Sequence, residues 1–147
     1  MNLLEKRFLV VGTGKSGIAA AELLVSHQMQ VIIFDENPNL IAGDVWAQSK
    51  KLGMVPVVIG KLPDEVKEKI DICVLSPGVS IELPIIQELI NKGVIVWGEI
   101  ELAYRFGKGR IIAITGTNGK TTTTTLVGEI MKRQFSSVKV VGNIGIP

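Results

Sequence analysis

Twice in this chain a short apolar run ends in a glycine-rich turn that opens a helical pattern. Phe8-Leu9-Val10-Val11 runs into Gly12-Thr13-Gly14-Lys15-Ser16-Gly17, and Ile111-Ile112-Ala113-Ile114-Thr115 runs into Gly116-Thr117-Asn118-Gly119-Lys120-Thr121-Thr122. An uninterrupted apolar run offers water no polar face, so it reads as a strand covered on both sides, as in a parallel sheet. A helix that starts directly after such a strand must pack back on the sheet, which restricts the chain to layered α/β folds.

The intervening residues keep the same rhythm. Val31–Phe34, Val55–Ile59, Ile72–Leu75 and Val94–Val96 are predicted strands, and Pro56 marks a strand start or a sheet edge. Ile18, Ala21, Leu24 and Val25 recur at helical spacing. Ile41 to Leu52 is predicted helical and stopped by Gly53. Leu83, Ile86, Leu89 and Ile90 mark another helix, with Gly93 where a C-cap belongs. The pattern breaks at Gly107-Lys108-Gly109-Arg110 and restarts with a sixth strand at 111–115, a helix over 120–133 and a seventh strand at 138–141. The 147 residues thus divide into a Rossmann-like parallel-sheet domain, 1–107, and the first βαβ unit of a second domain, 108–147. One βαβ unit cannot cover both faces of its two strands, so the second piece is expected to be mobile or to self-associate.

Composition narrows the function. The 16 Lys+Arg nearly balance 14 Asp+Glu, and a net charge of +2 gives no clustered basic face for nucleic acid. No apolar run reaches the roughly 18–20 residues that span a bilayer, and the charged start, Met1 to Arg7, is not a signal peptide. The single cysteine, Cys73, cannot form an internal disulfide, which fits a reducing, cytoplasmic setting.

The first turn matches GxGxxG in its proper context, after a strand and before a helix. Its glycines permit close backbone approach, and the helix start offers unpaired N–H groups to an anion. Asp35 ends the second strand where a ribose-binding carboxylate stands in dinucleotide folds, although it serves equally as a turn cap. The motif alone does not separate NAD from another nucleotide. Ser76-Pro77-Gly78 closes the fourth strand on the same sheet edge and by itself reads as an ordinary turn.

The second turn carries the stronger signal. Loop N–H groups can cradle phosphate oxygens, Lys120 places a point charge on the outer phosphates, and the Thr121 hydroxyl can ligate Mg²⁺. The spacing is a shortened form of GxxxxGK[ST]: the first glycine falls at Gly116, and Ile114 occupies its usual place. Five successive threonines, Thr121 to Thr125, are costly in a helix at up to about 0.7 kcal/mol each relative to alanine. The first two therefore point to another task. A third loop, Gly142-Asn143-Ile144-Gly145, follows the predicted seventh strand and is either part of the ligand edge or a generic turn.

The order of these features resembles the N-terminal part of the MurD family of Mur ligases: GxGxSG after the first strand, Ser-Pro-Gly after the fourth, Ile-Thr-Gly-Thr-Asn-Gly-Lys-Thr-Thr, then Gly-Asn-Ile-Gly. Trp97-Gly98-Glu99-Ile100-Glu101-Leu102 is similar to that family too. The resemblance implies a UDP-binding first domain and a P-loop ATP-binding central domain. It implies that Gly14, Lys15, Ser16, Gly17, Asp35, Glu36, Gly78 and Asn143 bind the UDP-substrate. It likewise assigns Gly116, Thr117, Asn118, Gly119, Lys120, Thr121 and Thr122 to ATP and Mg²⁺, with Thr121 on the metal and Lys120 catalytic. Where the family often carries Thr-Arg after the aspartate, this chain has Glu36-Asn37, so its uracil contacts differ.

The implied reaction joins D-glutamate to UDP-N-acetylmuramoyl-L-alanine through an acyl phosphate, in peptidoglycan precursor synthesis. The implied D-glutamate site and later catalytic groups lie beyond these residues, so the 147-residue chain is expected to bind UDP-substrate without turnover. Two rivals stand beside this. One is an NAD-dependent oxidoreductase domain, which leaves the second phosphate loop unexplained. The other is a nucleotide-binding regulatory module without chemistry. His27, the single histidine, sits near the first helix's end and reads as a solvated or helix-dipole partner.

Overall fold

The structure is a computed structural model that describes residues 2–142. It divides into two compact units, Met1–Gly107 and Lys108–Pro147. In the first, five strands, β1 (Arg7–Val11), β2 (Gln30–Asp35), β3 (Val57–Ile59), β4 (Ile72–Leu75) and β5 (Ile95–Gly98), form one sheet in the order β3-β2-β1-β4-β5. Every pairing is parallel. The helices are α1 (Lys15–Ser26), α2 (Ala42–Ala47), α3 (Asp64–Lys67), α4 (Pro84–Asn91) and α5 (Glu99–Phe106), with single-turn 3-10 helices at Leu3–Glu5 and Lys50–Leu52.

Alternation along the strands splits the core in two. Phe8, Val10, Ile33 and Val74 face one side, where they meet Ile18, Ala21 and Leu24 of α1, Val45 of α2 and Leu102 of α5. Leu9, Val11, Phe34 and Leu75 face the other, against Ile86 and Leu89 of α4. Both faces are covered, which is why the strands read as continuous apolar runs. Cys73 lies in the second cluster, and burial pushes its thiol up to about 12. Trp97 packs on Phe8 at 5.8 Å between ring centroids, with the Arg105 guanidinium 5.2 Å from its ring.

Several boundaries differ from the sequence reading. The helix expected over 41–52 is two pieces, because Ser49 is extended and caps the 3-10 turn through Lys51 N. β3 is shorter than expected and begins after Pro56, at the sheet edge. β5 lies over 95–98 rather than 94–96: the Val94 N–H closes α4 by donating to Leu89 O, and pairing starts at Ile95. Two short helices, α3 and α5, carry too few apolar repeats to stand out in sequence.

The second unit contains α6 (Lys120–Lys132), as expected. The predicted sixth and seventh strands are not formed: 111–115 and 138–141 carry no ladder among the described residues. Apolar content selects burial, but a strand exists only through a neighbour's N–H and C=O groups, and among the described residues neither segment has such a ladder. Ile111 and Ile112 accordingly remain more than half exposed.

Candidate functional site: two glycine-rich turns

The sheet order reverses at β1. The chain runs outward from β1 to β2 and β3, then returns to place β4 on the other side. In open α/β sheets ligands bind outside the carboxyl ends of the strands at such a switch point. Here that place is the crevice between Gly12, after β1, and Ser76, after β4. The Gly12 N–H donates to Phe34 O at 2.8 Å and the Ser76 N–H to Val11 O at 3.1 Å, so both strand ends are fixed.

Gly12 adopts φ +101°, a conformation costly for any side-chain-bearing residue. Gly14 is the N-cap of α1 and provides no side-chain hydrogen bond. The N–H groups of Lys15, Ser16 and Gly17 therefore have no partner among the described residues. The first turn of α1 contains no acidic residue but does contain Lys15. That is the reverse of what the helix dipole favours, and an anion at the turn would reconcile the two. Gly17 permits the closest approach: a Cβ there would stand 1.9 Å from Gly12 O and 2.8 Å from Ser76 Oγ.

Asp35 has its own work in the fold. Its Oδ2 accepts from Thr13 N at 2.9 Å and Thr13 Oγ1 at 2.7 Å, and its Oδ1 accepts from Asn37 N at 3.1 Å. The carboxylate ties the first turn to the segment after β2, leaving one acceptor site of about four unused. Thr13, buried and central here, occupies a free position of GxGxxG, and nothing in sequence singled it out. Glu36 is exposed beyond Asp35, at the end of β2. Gly78 is exposed in the turn that Val79 N closes on Ser76 O at 2.9 Å, with open space where a side chain would be. Asn143 lies outside the described residues. His27 ends α1, with Nδ1 2.9 Å from Leu23 O and its ring edge-on to Phe106.

Two concavities line the opposite, amino-terminal ends of the strands. One, about 260 Å³, is bordered by Lys6, Asp71 and Lys92, and another, about 550 Å³, by Arg7, Met54 and Pro56. In the first, Asp71 is already engaged by Lys6 at 2.7 Å and Arg7 N at 2.9 Å.

In the second unit Gly119 caps α6 with φ +76°, a left-handed turn that suits glycine. The Lys120 ammonium reaches back over the loop to Gly116 O and, at 3.2 Å, Thr117 O. Asn118 is exposed between them. Within the threonine run, Thr124 Oγ1 donates to Lys120 O at 2.7 Å and Thr125 Oγ1 to Thr121 O at 2.9 Å. Such back-bonding occupies the later threonines. The Thr121 and Thr122 hydroxyls make no hydrogen bond among the described residues. The donor set suits a nucleotide phosphate: an ammonium held over the loop and a free hydroxyl at the helix start. Mg²⁺ in such sites is held by phosphate, water and one or two carboxylates, and the Thr121 hydroxyl could add one protein oxygen to that set.

Comparison with known proteins gives this geometry its context. The chain is 51% identical over its whole length to the UDP-N-acetylmuramoylalanine–D-glutamate ligase of Lachnoclostridium phytofermentans and 49% identical over 99% of its length to that of Lachnospira eligens. It spans about a third (32%) of the length of each. A solved structure, a pseudomurein peptide ligase type C from Methanothermus fervidus, matches 87% of the chain and 26% of its own at a TM-score of 0.54 and 26% identity. A family model described as Mur ligase MurD-like, N-terminal domain, matches residues 6–98. The match covers β1 through β5 and both edges of the crevice, and the chain belongs to the MurD-like family of Mur ligases.

Proposed function

We propose that this chain is the N-terminal part of an ATP-dependent ligase that joins D-glutamate to UDP-N-acetylmuramoyl-L-alanine in the cytoplasm. The observation that carries this is the match, along the entire chain, to ligases named for that reaction. The first turn supports it: three unpaired helix N–H groups and Lys15 form a receptor for a phosphate. In this reading residues 1–107 hold the UDP-substrate and residues 108–147 begin the ATP-binding domain.

The reaction activates the free alanyl carboxylate as an acyl phosphate, and the D-glutamate amine then displaces phosphate to form the amide. Bound ATP and Mg²⁺ supply the phosphoryl group and the charge neutralisation. This chain's residues orient and screen. Lys15, Ser16 and the backbone of Gly14 and Gly17 seat the substrate's pyrophosphate, while Gly78 leaves room for the sugar. Glu36 stands at the uracil end, and Asp35 acts by fixing the turn through Thr13. Lys120, now on its loop carbonyls, would neutralise charge on the phosphoryl group, and Thr121 would help hold the metal.

Titration of the 147-residue chain with UDP-N-acetylmuramoyl-L-alanine, UDP and NAD, followed by backbone amide shifts, tests the reading. Shifts at Gly14 to Gly17 and Gly78 with the UDP compounds are expected. Shifts with NAD alone would overturn it, and ligase turnover by this chain alone would overturn the division of labour.

A further inference from the structure

We propose that the Ser76 hydroxyl is a positioning group for the substrate's phosphates, an inference that rests on the UDP-substrate reading above. Ser76 Oγ is buried and has no hydrogen-bond partner. Leaving a buried hydroxyl unpaired is costly, so a retained one calls for an explanation. Its place supplies one. Ser76 follows β4 at the switch point, with its backbone pinned to Val11. Its Oγ lies 2.9 Å from where a Cβ of Gly12 would stand and 2.8 Å from that of Gly17. Side chains at either glycine would evict it, so two glycines of the first turn keep space for this hydroxyl.

The hydroxyl thus borders the same turn as the unpaired N–H groups of Lys15, Ser16 and Gly17. What all these groups lack is an acceptor. A phosphate oxygen at the turn is an acceptor for the N–H groups and for the serine O–H alike. This role requires the hydroxyl, buried beside Gly12 and Gly17, to turn about its single side-chain torsion when that oxygen arrives. The group makes and breaks no covalent bond; its part is to fix where the phosphate sits and hence where the distal end of the substrate points.

The test uses the 147-residue chain with Ser76→Ala and Ser76→Cys, the latter similar in shape, somewhat larger, and offering only a weak donor. UDP and uridine are the ligands, and urea midpoints are measured alongside. Both variants are expected to bind UDP about 10-fold or more weakly, as loss of a hydrogen bond to a charged group implies. Uridine, which lacks phosphate, should bind variants and wild type equally, and the urea midpoint should stay or rise because an orphaned hydroxyl has gone. UDP binding within two-fold of wild type overturns the proposal, as does an equal loss for uridine or a lowered midpoint in both variants, each of which marks a packing role. A wild-type chain that binds no UDP overturns the UDP-substrate reading and this inference with it.

Discussion

Gly17→Ala sets two well-measured effects against each other. Gly17 lies in α1 with φ outside the left-handed region, so alanine is conformationally allowed there. Helix propensity alone favours the change by up to about 1 kcal/mol. Packing opposes it. The new Cβ would stand 1.9 Å from Gly12 O and 2.9 Å from Gly12 C, where real contacts fall no closer than 3.0 Å. The start of α1 would have to lift by more than 1 Å. The obstacle is backbone, and Gly12 is tied to β2 through Phe34 O, so it cannot swing aside as a side-chain tip would. Overpacking of this kind costs about 1–3 kcal/mol, and more where nothing yields. The net expectation is a loss of about 2 kcal/mol, the clash outweighing propensity.

With an m-value of about 1–3 kcal/mol/M in urea, that loss lowers the midpoint by roughly 1 M. Tryptophan fluorescence is the suitable probe, since both tryptophans, Trp46 and Trp97, lie in the first unit. Gly14→Ser provides the contrast. A Cβ at Gly14 meets nothing within 4 Å, and its extended backbone suits an N-cap. A serine there is expected to raise stability by roughly a few tenths of a kcal/mol, while its hydroxyl takes up an N–H of the proposed phosphate site and weakens UDP binding. A Gly17→Ala protein as stable as wild type, or more so, would refute the packing argument.

Other expectations follow from the same geometry. Asp35→Asn replaces an acceptor of three bonds by a group with one acceptor oxygen, and should cost about 1–3 kcal/mol in urea unfolding. Unchanged stability would mean that the carboxylate does not organise the turn. The Asp71 carboxyl is held below its ordinary range by the Arg7 N–H and then by Lys6. A lowered carboxylate stabilises the fold above its unfolded value and loses that contribution as pH falls through the folded one. The advantage of wild type over Asp71→Asn, on the order of 1 kcal/mol at pH 7 after solvent screening, should therefore begin to shrink only below about pH 4 and keep falling as the pH is lowered further, in urea titrations at successive pH values. Ile111, Ile112, Leu126 and Ile130 of the second unit are each more than half exposed. Light scattering is expected to show concentration-dependent self-association of the 147-residue chain, and a monodisperse monomer at high concentration with rigid 111–141 amides would contradict this.

Much of the first unit was legible in the residues. Each buried parallel strand is apolar on both faces, so Phe8–Val11 and Ile72–Leu75 announce themselves without knowledge of their neighbours. Gly12, Gly14 and Gly17 announce a tight strand-to-helix turn, because a backbone that reverses so closely needs glycine at such spacings. The site's supporting groups were not legible. Thr13 fills a position any residue could take, and its bond to Asp35 spans 22 residues of chain. Ser76 looked like the start of a common turn. The apolar runs at 111–115 and 138–141 read as strands, yet neither forms one among the described residues, since a strand requires a partner and composition names no partner.

The sequence by itself determined the local chemistry: alternating buried segments, two glycine-rich turns placed at helix starts, and a chain-long kinship with Mur ligases. Those properties depend on neighbours a few residues apart, and they survive in any reading of the string. Tertiary structure decided the strand order β3-β2-β1-β4-β5 and thereby which turns share the switch point. It also decided that Asp35 braces the turn and that Gly12 and Gly17 leave room for an unpaired Ser76 hydroxyl. Hydrogen bonds and contacts of that kind are set by distance in space, and the chain brings them together only once the sheet has closed its two cores.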